Sequence, residues 1–244
     1  MSSYQPTYKR YNEQAILIEW PTDINTRILS EILRYKEKIE LVLNQEVSEV
    51  RSAYQSLLII YKSYVTDVSG AIDVLKAVYT SDVELKPLTS KIWKVPVCYD
   101  DRFGWDLEEM SLSKKISKGR IIKLHSEVIY TVYFIGFLPG FLYLGGLNEM
   151  LFTPRKATPR MNIRKGAVAI GGRQTGIYPN DSPAGWHIIG NSPIDFFKPK
   201  ASLPCFAKAG DRIQFIPISL KEYASIEKLI EEGYYNLDSE VWHD

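Results

Sequence analysis

The sequence predicts an α+β protein in two parts, a small N-terminal βαββαβ-like sandwich over residues 1–90 and a C-terminal β-barrel over residues 91–244. Three observations predict it. The first ninety residues alternate short β-prone runs with runs of helical periodicity. After about Val97 that alternation gives way to short strands punctuated by Gly and Pro. A last amphipathic run precedes an acidic tail.

Ala15-Ile16-Leu17-Ile18-Glu19-Trp20 is apolar and rich in strand formers, and Pro21 stops it. Ile28, Leu29, Ile32, Leu33 and Tyr35 then recur at helical spacing, with Asp23 or Asn25 available to cap. Residues 49–51 and 56–61 read as two strands around a turn. A second helix starts near Ser69, with Ile72, Leu75, Val78 and Tyr79 on one face, and residues 92–97 supply the last strand of the pattern. The change in periodicity puts the domain boundary between residues 85 and 97. Beyond it, 106–109 and 117–125 read as short helices, and 128–135, 167–170, 186–189, 194–197 and 212–217 as strands of a closed or partly closed barrel. Tyr223, Ile226, Leu229 and Ile230 mark the last helix, and the acidic C-terminus is expected to fray.

Composition bounds the class without naming a chemistry. At 244 residues, 45% apolar, the chain is long enough for one large core or two small ones. Its net charge of +1 offers no global attraction to nucleic acid or anionic lipid, so neither is an expected partner, and a bound anion needs a local cluster of cations. The start, Met1-Ser2-Ser3-Tyr4-Gln5, has no signal-peptide pattern and no apolar run reaches membrane-span length, so a cytoplasmic location is expected. Cys98 and Cys205 read as reduced structural thiols, and no metal site is expected from them.

The chemistry-bearing signal is concentrated between residues 133 and 193. Phe134-Ile135-Gly136-Phe137-Leu138-Pro139-Gly140-Phe141 and the following Leu142-Tyr143-Leu144-Gly145-Gly146-Leu147 suit neither a continuous helix nor a regular strand. They read as a shaped loop, either a tight barrel corner or a ligand wall. Six cations follow: Arg155, Lys156, Arg160, Arg164, Lys165 and Arg173. Such a run is either a solvated basic face or an anion site. Pro154-Arg155 and Pro159-Arg160 repeat one dipeptide, and proline directs the chain before each guanidinium, the group suited to a bidentate grip on carboxylate or phosphate. Gln174 and Thr175, set among glycines, offer an amide and a hydroxyl for reading an amide or lactam by hydrogen bonds. His187 is either a hydrogen-bonded structural imidazole or a general acid or base. His125, at the end of a predicted helix, is explained by a favourable contact with the helix dipole. His243 lies in the tail and carries no assignment. Gly171-Gly172-Arg173-Gln174-Thr175-Gly176 lacks the Gly-Lys-Ser/Thr ending of a phosphate loop, and the chain has no HExxH, CxxC or GxSxG motif.

Three stretches together resemble one family: Gly136-Phe137-Leu138-Pro139-Gly140-Phe141 with Tyr143-Leu144-Gly145-Gly146-Leu147; Pro154-Arg155 with Thr158-Pro159-Arg160; and Gln174-Thr175-Gly176-Ile177-Tyr178-Pro179 with Gly185-Trp186-His187-Ile188-Ile189-Gly190. In order and spacing they resemble the allophanate hydrolase subunit 1 family, which includes KipI-type kinase inhibitors and the B subunits of bacterial 5-oxoprolinase. The resemblance implies that the C-terminal barrel is cyclophilin-like. It also implies a heteromer, in which a B subunit joins a related C subunit and a LamB-type A subunit to open 5-oxo-L-proline to L-glutamate with ATP and Mg2+, the B subunit being inactive alone. Phosphorylation of the lactam oxygen creates a leaving group on a poor electrophile, and cations stabilise the transferring charge. Within that frame Arg155, Arg160, Arg173 and Thr175 are expected to bind substrate or phosphate, and Gln174 and His187 to face the lactam or relay a proton. Phe137, Phe141, Tyr178 and Trp186 are expected to wall a groove. Two alternatives follow from the same resemblance: an inhibitor that uses this groove to bind a sensor histidine kinase, and a subunit of an enzyme processing urea-like amides. The chain departs from the family in carrying Ala184-Gly185 where relatives commonly have two glycines, and Arg164-Lys165-Gly166 where they often have Pro-Ala-Gly.

Overall fold

The structure, a computed structural model, describes residues 4–21 and 25–242. The chain divides into two compact units, residues 1–88 and 89–244. In the first, β1 (Thr7–Asn12), β2 (Ala15–Glu19), β3 (Val47–Ser52) and β4 (Ser56–Tyr61) form an antiparallel sheet in the order β1-β2-β4-β3. Ile16, Ile18, Leu57 and Ile59 alternate with more exposed neighbours, so one face of the sheet is buried. That face packs on α1 (Thr26–Val42) through Ile28, Ile32, Tyr35 and Ile39, and on α2 (Val68–Thr80) through Leu75 and Val78. Asn25 caps α1 by accepting the Ile28 N–H at 2.9 Å; Asp23, the other candidate cap, lies outside the described residues. Asp67, two residues before the predicted start, caps α2 through the Gly70 N–H.

The run at 92–97 has a different partner from the one its spacing predicts. It lies in β5 (Ser90–Cys98), which pairs in parallel with β13 (Arg212–Ile218) of the second unit. Periodicity marks a strand but carries no information about which distant strand shares its ladder. Between these two run α3 (Leu107–Lys114), α4 (Lys118–Ser126), β6 (Ile129–Ile135), β7 (Leu142–Gly145), β8 (Arg160–Ile163), β9 (Ala167–Gly171), β10 (Gln174–Ile177), β11 (Ser182–Ala184) and β12 (His187–Asn191). Seven strands close a ring in the order β12-β9-β10-β7-β6-β13-β5, sealed where Asn191 of β12 meets Cys98 of β5. The α+β class, with a small sheet followed by a closed barrel, is therefore the observed one. Val95, Val132, Leu144, Val168, Ile170, Ile213 and Phe215 fill the barrel.

Three local expectations change. Residues 142–145, read as part of a loop, form β7, because Leu142 and Leu144 point into the barrel despite the surrounding glycines. Residues 194–197, read as a strand, are irregular; Ile194 and Phe196 are buried in the barrel core without joining a ladder. The tail expected to fray instead forms β14 (Ser239–Trp242) after α5 (Leu220–Glu231). It pairs with β5 outside the closed ring, where Lys94 bridges Asp238 and Glu240. Cys98 and Cys205 are free thiols. Among the described residues no helix is long and apolar enough to cross a membrane.

Candidate functional site

Four segments of the barrel unit converge on a cleft of ≈ 300 Å³: the β6–β7 loop, residues 155–159, the end of β10, and the corner joining β11 to β12. Phe141 is its hub. Its ring makes edge contacts with Phe137 (5.8 Å between centroids), Tyr178 (5.2 Å) and Trp186 (5.7 Å), and a tilted contact with Tyr143 (4.9 Å). All four predicted wall residues thus share one cleft. Glycine makes the arrangement possible: a Cβ on Gly171 would lie 2.5 Å from three ring atoms of Trp186. Phe137 sits at the rim, 67% exposed, with a left-handed φ of 64° rarely held by a bulky residue. Such strain gathers at ligand-binding positions.

Arg155 places its guanidinium 5.8 Å from the Trp186 ring centroid and lines the cleft. Among the described residues no carboxylate pairs with it. Burial pushes the Tyr178 phenol up to about 12, while the Arg155 charge pulls the other way. Lys156 lines the cleft too, but its ammonium is committed, 3.1 Å from Asp106 and 2.7 Å from Glu109. Arg160 makes a bidentate pair with Asp106 at 2.5 and 2.7 Å and lies over the Trp105 ring. Its fork is therefore spent on a buried carboxylate and not held ready for a ligand.

Asp106 organises this edge of the site. It precedes α3 without capping it, accepts the Ile188 N–H of β12 at 2.7 Å, and is wholly buried. Burial alone would raise its pKa, but Arg160, the Ile188 N–H and Lys156 outweigh that and hold the carboxyl below its ordinary range. Sequence reasoning saw only a helix start here. The signal was available, since Asp106, just before the helix, and Glu109, in its first turn, stand three apart and so come to one side of the helix start. His187 joins from β12. Its Nε2–H donates to the Pro154 carbonyl at 3.1 Å, whereas its buried Nδ1 has no hydrogen-bond partner and lies 3.9 Å from Glu109. Asp106, Glu109 and His187 are close enough to hold a metal ion, but the Lys156 ammonium already bridges the two carboxylates.

The remaining predicted residues lie elsewhere. Thr175 is completely buried inside the barrel, where it donates to the Ala169 carbonyl at 3.0 Å and accepts from His125 Nε2 at 2.8 Å. It has no surface to offer a ligand, because strand alternation turns it inward. Gln174 opposes Gly171 in the β9–β10 hairpin and Arg173 lies 5.1 Å over Phe152; neither lines the cleft. His125 is not a helix-dipole cation. It is fully buried, stacked on Phe215 at 4.6 Å, and accepts from the Tyr99 hydroxyl at Nδ1, 2.8 Å away. Burial pushes its pKa down to about 3, so it stands neutral and its ring nitrogens serve the core.

Residues 6–207 match the family described as carboxyltransferase domain, subdomain C and D. The chain is 34% identical over 205 residues to the 5-oxoprolinase B subunit of Haemophilus influenzae, covering 84% of this chain and 94% of that one. It is 43% identical over 133 residues to the 5-oxoprolinase B subunit of Bacillus subtilis, a match spanning 54% of this chain and 55% of the relative. Among solved structures, a conserved uncharacterized protein from Pyrococcus horikoshii is 35% identical with a TM-score of 0.53, over 89% of this chain and all of that one. The Kluyveromyces lactis urea amidolyase superposes with a TM-score of 0.81 over 98% of this chain and 16% of that one; at 19% identity this is a likeness of fold. Matched along most of its length, the chain belongs to the carboxyltransferase subdomain C and D family, in the branch that contains the 5-oxoprolinase B subunits.

Proposed function

We infer that this chain acts as the B subunit of a heteromeric, ATP-dependent 5-oxoprolinase that opens 5-oxo-L-proline to L-glutamate. We further infer that the aromatic cleft receives the lactam. One observation carries the reading: a small aromatic-walled cleft with a guanidinium at its edge that no carboxylate among the described residues pairs with, Arg155 over Trp186. Its walls suit a compact ring, and Arg155 suits the single carboxylate that ring carries. His187, Gln174 and Arg173 do not line the cleft; His187 follows the wall residue Trp186 in the chain and keeps an Nδ1 without a hydrogen-bond partner.

The residues of this cleft do not fit Mg2+-bound ATP. Its volume is at the small end for ligand pockets, about 300–1,000 Å³ being usual. The carboxylates that a magnesium ion would need are engaged by Arg160 and Lys156. On this reading ATP is handled with a C subunit and a LamB-type A subunit, and this chain supplies the lactam site. The test is ATP-dependent glutamate release from 5-oxoproline by the chain alone and mixed with candidate C and A subunits. Activity only in the full mixture is the expected result. A verified assembly without turnover overturns the reading. It would then favour the second one, a kinase-binding module, for which the exposed Phe137 at the cleft rim is the supporting observation.

A further inference from the structure

The cleft and the ion pairs beside it form one electrostatic unit. Arg155, Lys156 and Arg160 bring three positive charges, and Asp106 and Glu109 bring two negative ones. The formal balance is a single uncompensated positive charge, and it belongs to Arg155. Lys156 also lines the cleft, yet both carboxylates hold its ammonium, and its side chain is only 16% exposed. The two carboxylates differ in kind. Asp106 is buried and fixed by four donors, Arg160 twice, Ile188 and Lys156. Glu109 is on the outer face of α3, with its side chain 57% exposed, and it reaches Lys156 and His187.

We propose that Glu109 is a specificity-determining residue: by occupying the Lys156 ammonium it leaves the cleft one cation, so that the site selects small cyclic monocarboxylates and rejects dicarboxylates. This rests on the reading of the cleft as the lactam site, and it adds a chemical reason for how that site discriminates. A dianion entering the cleft meets Arg155 with one carboxylate. Its second carboxylate then finds Lys156 as the other cation of the lining, and that ammonium is already neutralised by Asp106 and Glu109. Specificity of this kind is a difference in affinity produced by a repulsive element as much as by an attractive one. An open-chain dicarboxylate of the same carbon count also loses rotational freedom on entering, which the closed lactam ring does not.

The experiment compares the wild-type chain with Glu109→Gln at pH 8, above the ordinary imidazole range. Binding of 5-oxo-L-proline and of glutarate is titrated by calorimetry and by tryptophan fluorescence, since Trp186 lines the cleft. The wild type is expected to favour 5-oxoproline. In E109Q the Lys156 ammonium keeps only Asp106, which Arg160 already shares, and the site gains one net positive charge; the preference is expected to shift toward glutarate by about tenfold or more, the worth of one hydrogen bond to a charged group. Because Glu109 is exposed, folding of E109Q is expected to match the wild type. Should it melt early, Glu109→Asp, which keeps the charge but shortens its reach, carries the test and should show an intermediate preference. An unchanged preference in these variants overturns the proposal, as does a wild-type chain that binds neither ligand. The function reading is judged separately by glutamate release from the assembled complex. Turnover with an unchanged E109Q preference sinks this proposal alone, and altered preference without turnover sinks that reading alone.

Discussion

Replacing Asp106 by Asn is the sharpest probe of how the site edge is built. The carboxylate is wholly buried and receives four donors, so its loss strips Arg160 and Lys156 of a shared counter-charge and sets two cations against one neutral amide. Breaking a buried pair by removing one partner costs about 3–5 kcal/mol. Arg160 keeps 35% of its side chain exposed and retains hydration, which places the effect at the low end, about 3 kcal/mol. For a unit of this size that is a fall in Tm of roughly 6–12 °C. The pH dependence has a definite sign. The folded state holds this carboxyl below its ordinary range, so the stabilisation is complete above the unfolded value of about 3.9 and is lost as pH falls through the lower folded value. Thermal melts followed by tryptophan fluorescence should therefore show a constant gap between wild type and D106N from about pH 5 to pH 8, closing below about pH 4. A gap at pH 7 of less than about 2 °C, or one that does not close in acid, would refute the assignment of Asp106 as the buried counter-ion.

Other perturbations test other links. His125 is held neutral by burial with a pKa of about 3, so protons favour the unfolded chain between about pH 6.5 and that value. Wild-type stability should therefore carry a contribution from His125 that falls with pH across that window, and a His125→Gln variant, though less stable at pH 7, should lose stability less steeply in denaturant titrations over the same range. Gly171→Ala puts a methyl group against the Trp186 ring and should destabilise by about 1–3 kcal/mol, with a shifted tryptophan emission that marks the displaced wall. An unshifted emission and an unchanged Tm would show that the ring is not seated on that backbone. Phe137→Ala should leave the Tm within about 2 °C, because the side chain is mostly exposed, while weakening binding of 5-oxoproline in calorimetry. Equal affinity would remove Phe137 from the cleft wall.

The local grammar of the chain was legible in its sequence. Helical spacing of Ile28, Ile32 and Tyr35, alternation in 56–61, and strand-forming runs at 167–170 and 212–217 all correspond to observed elements. These are short-range signals set by side-chain direction, and they do not depend on distant partners. The aromatic wall was legible as well, because Phe137, Phe141, Tyr178 and Trp186 stand among glycines and prolines that bend the chain. What each cation does was not. Arg155, Lys156 and Arg160 look alike in sequence, within two Pro-Arg repeats, yet one faces the cleft without a carboxylate, one bridges two acids and one is clasped by a buried aspartate. Those fates depend on Asp106, some fifty residues upstream, which reaches them only when α3 is laid beside β12. Thr175 and His125 carry the same lesson inward: barrel closure turned a hydroxyl and an imidazole into each other's partner in the core. Sequence by itself determined the kinds of element, the family and the inventory of charges; only the tertiary structure decided how those charges cancel, because Coulomb energy depends on distances that the order of residues does not contain.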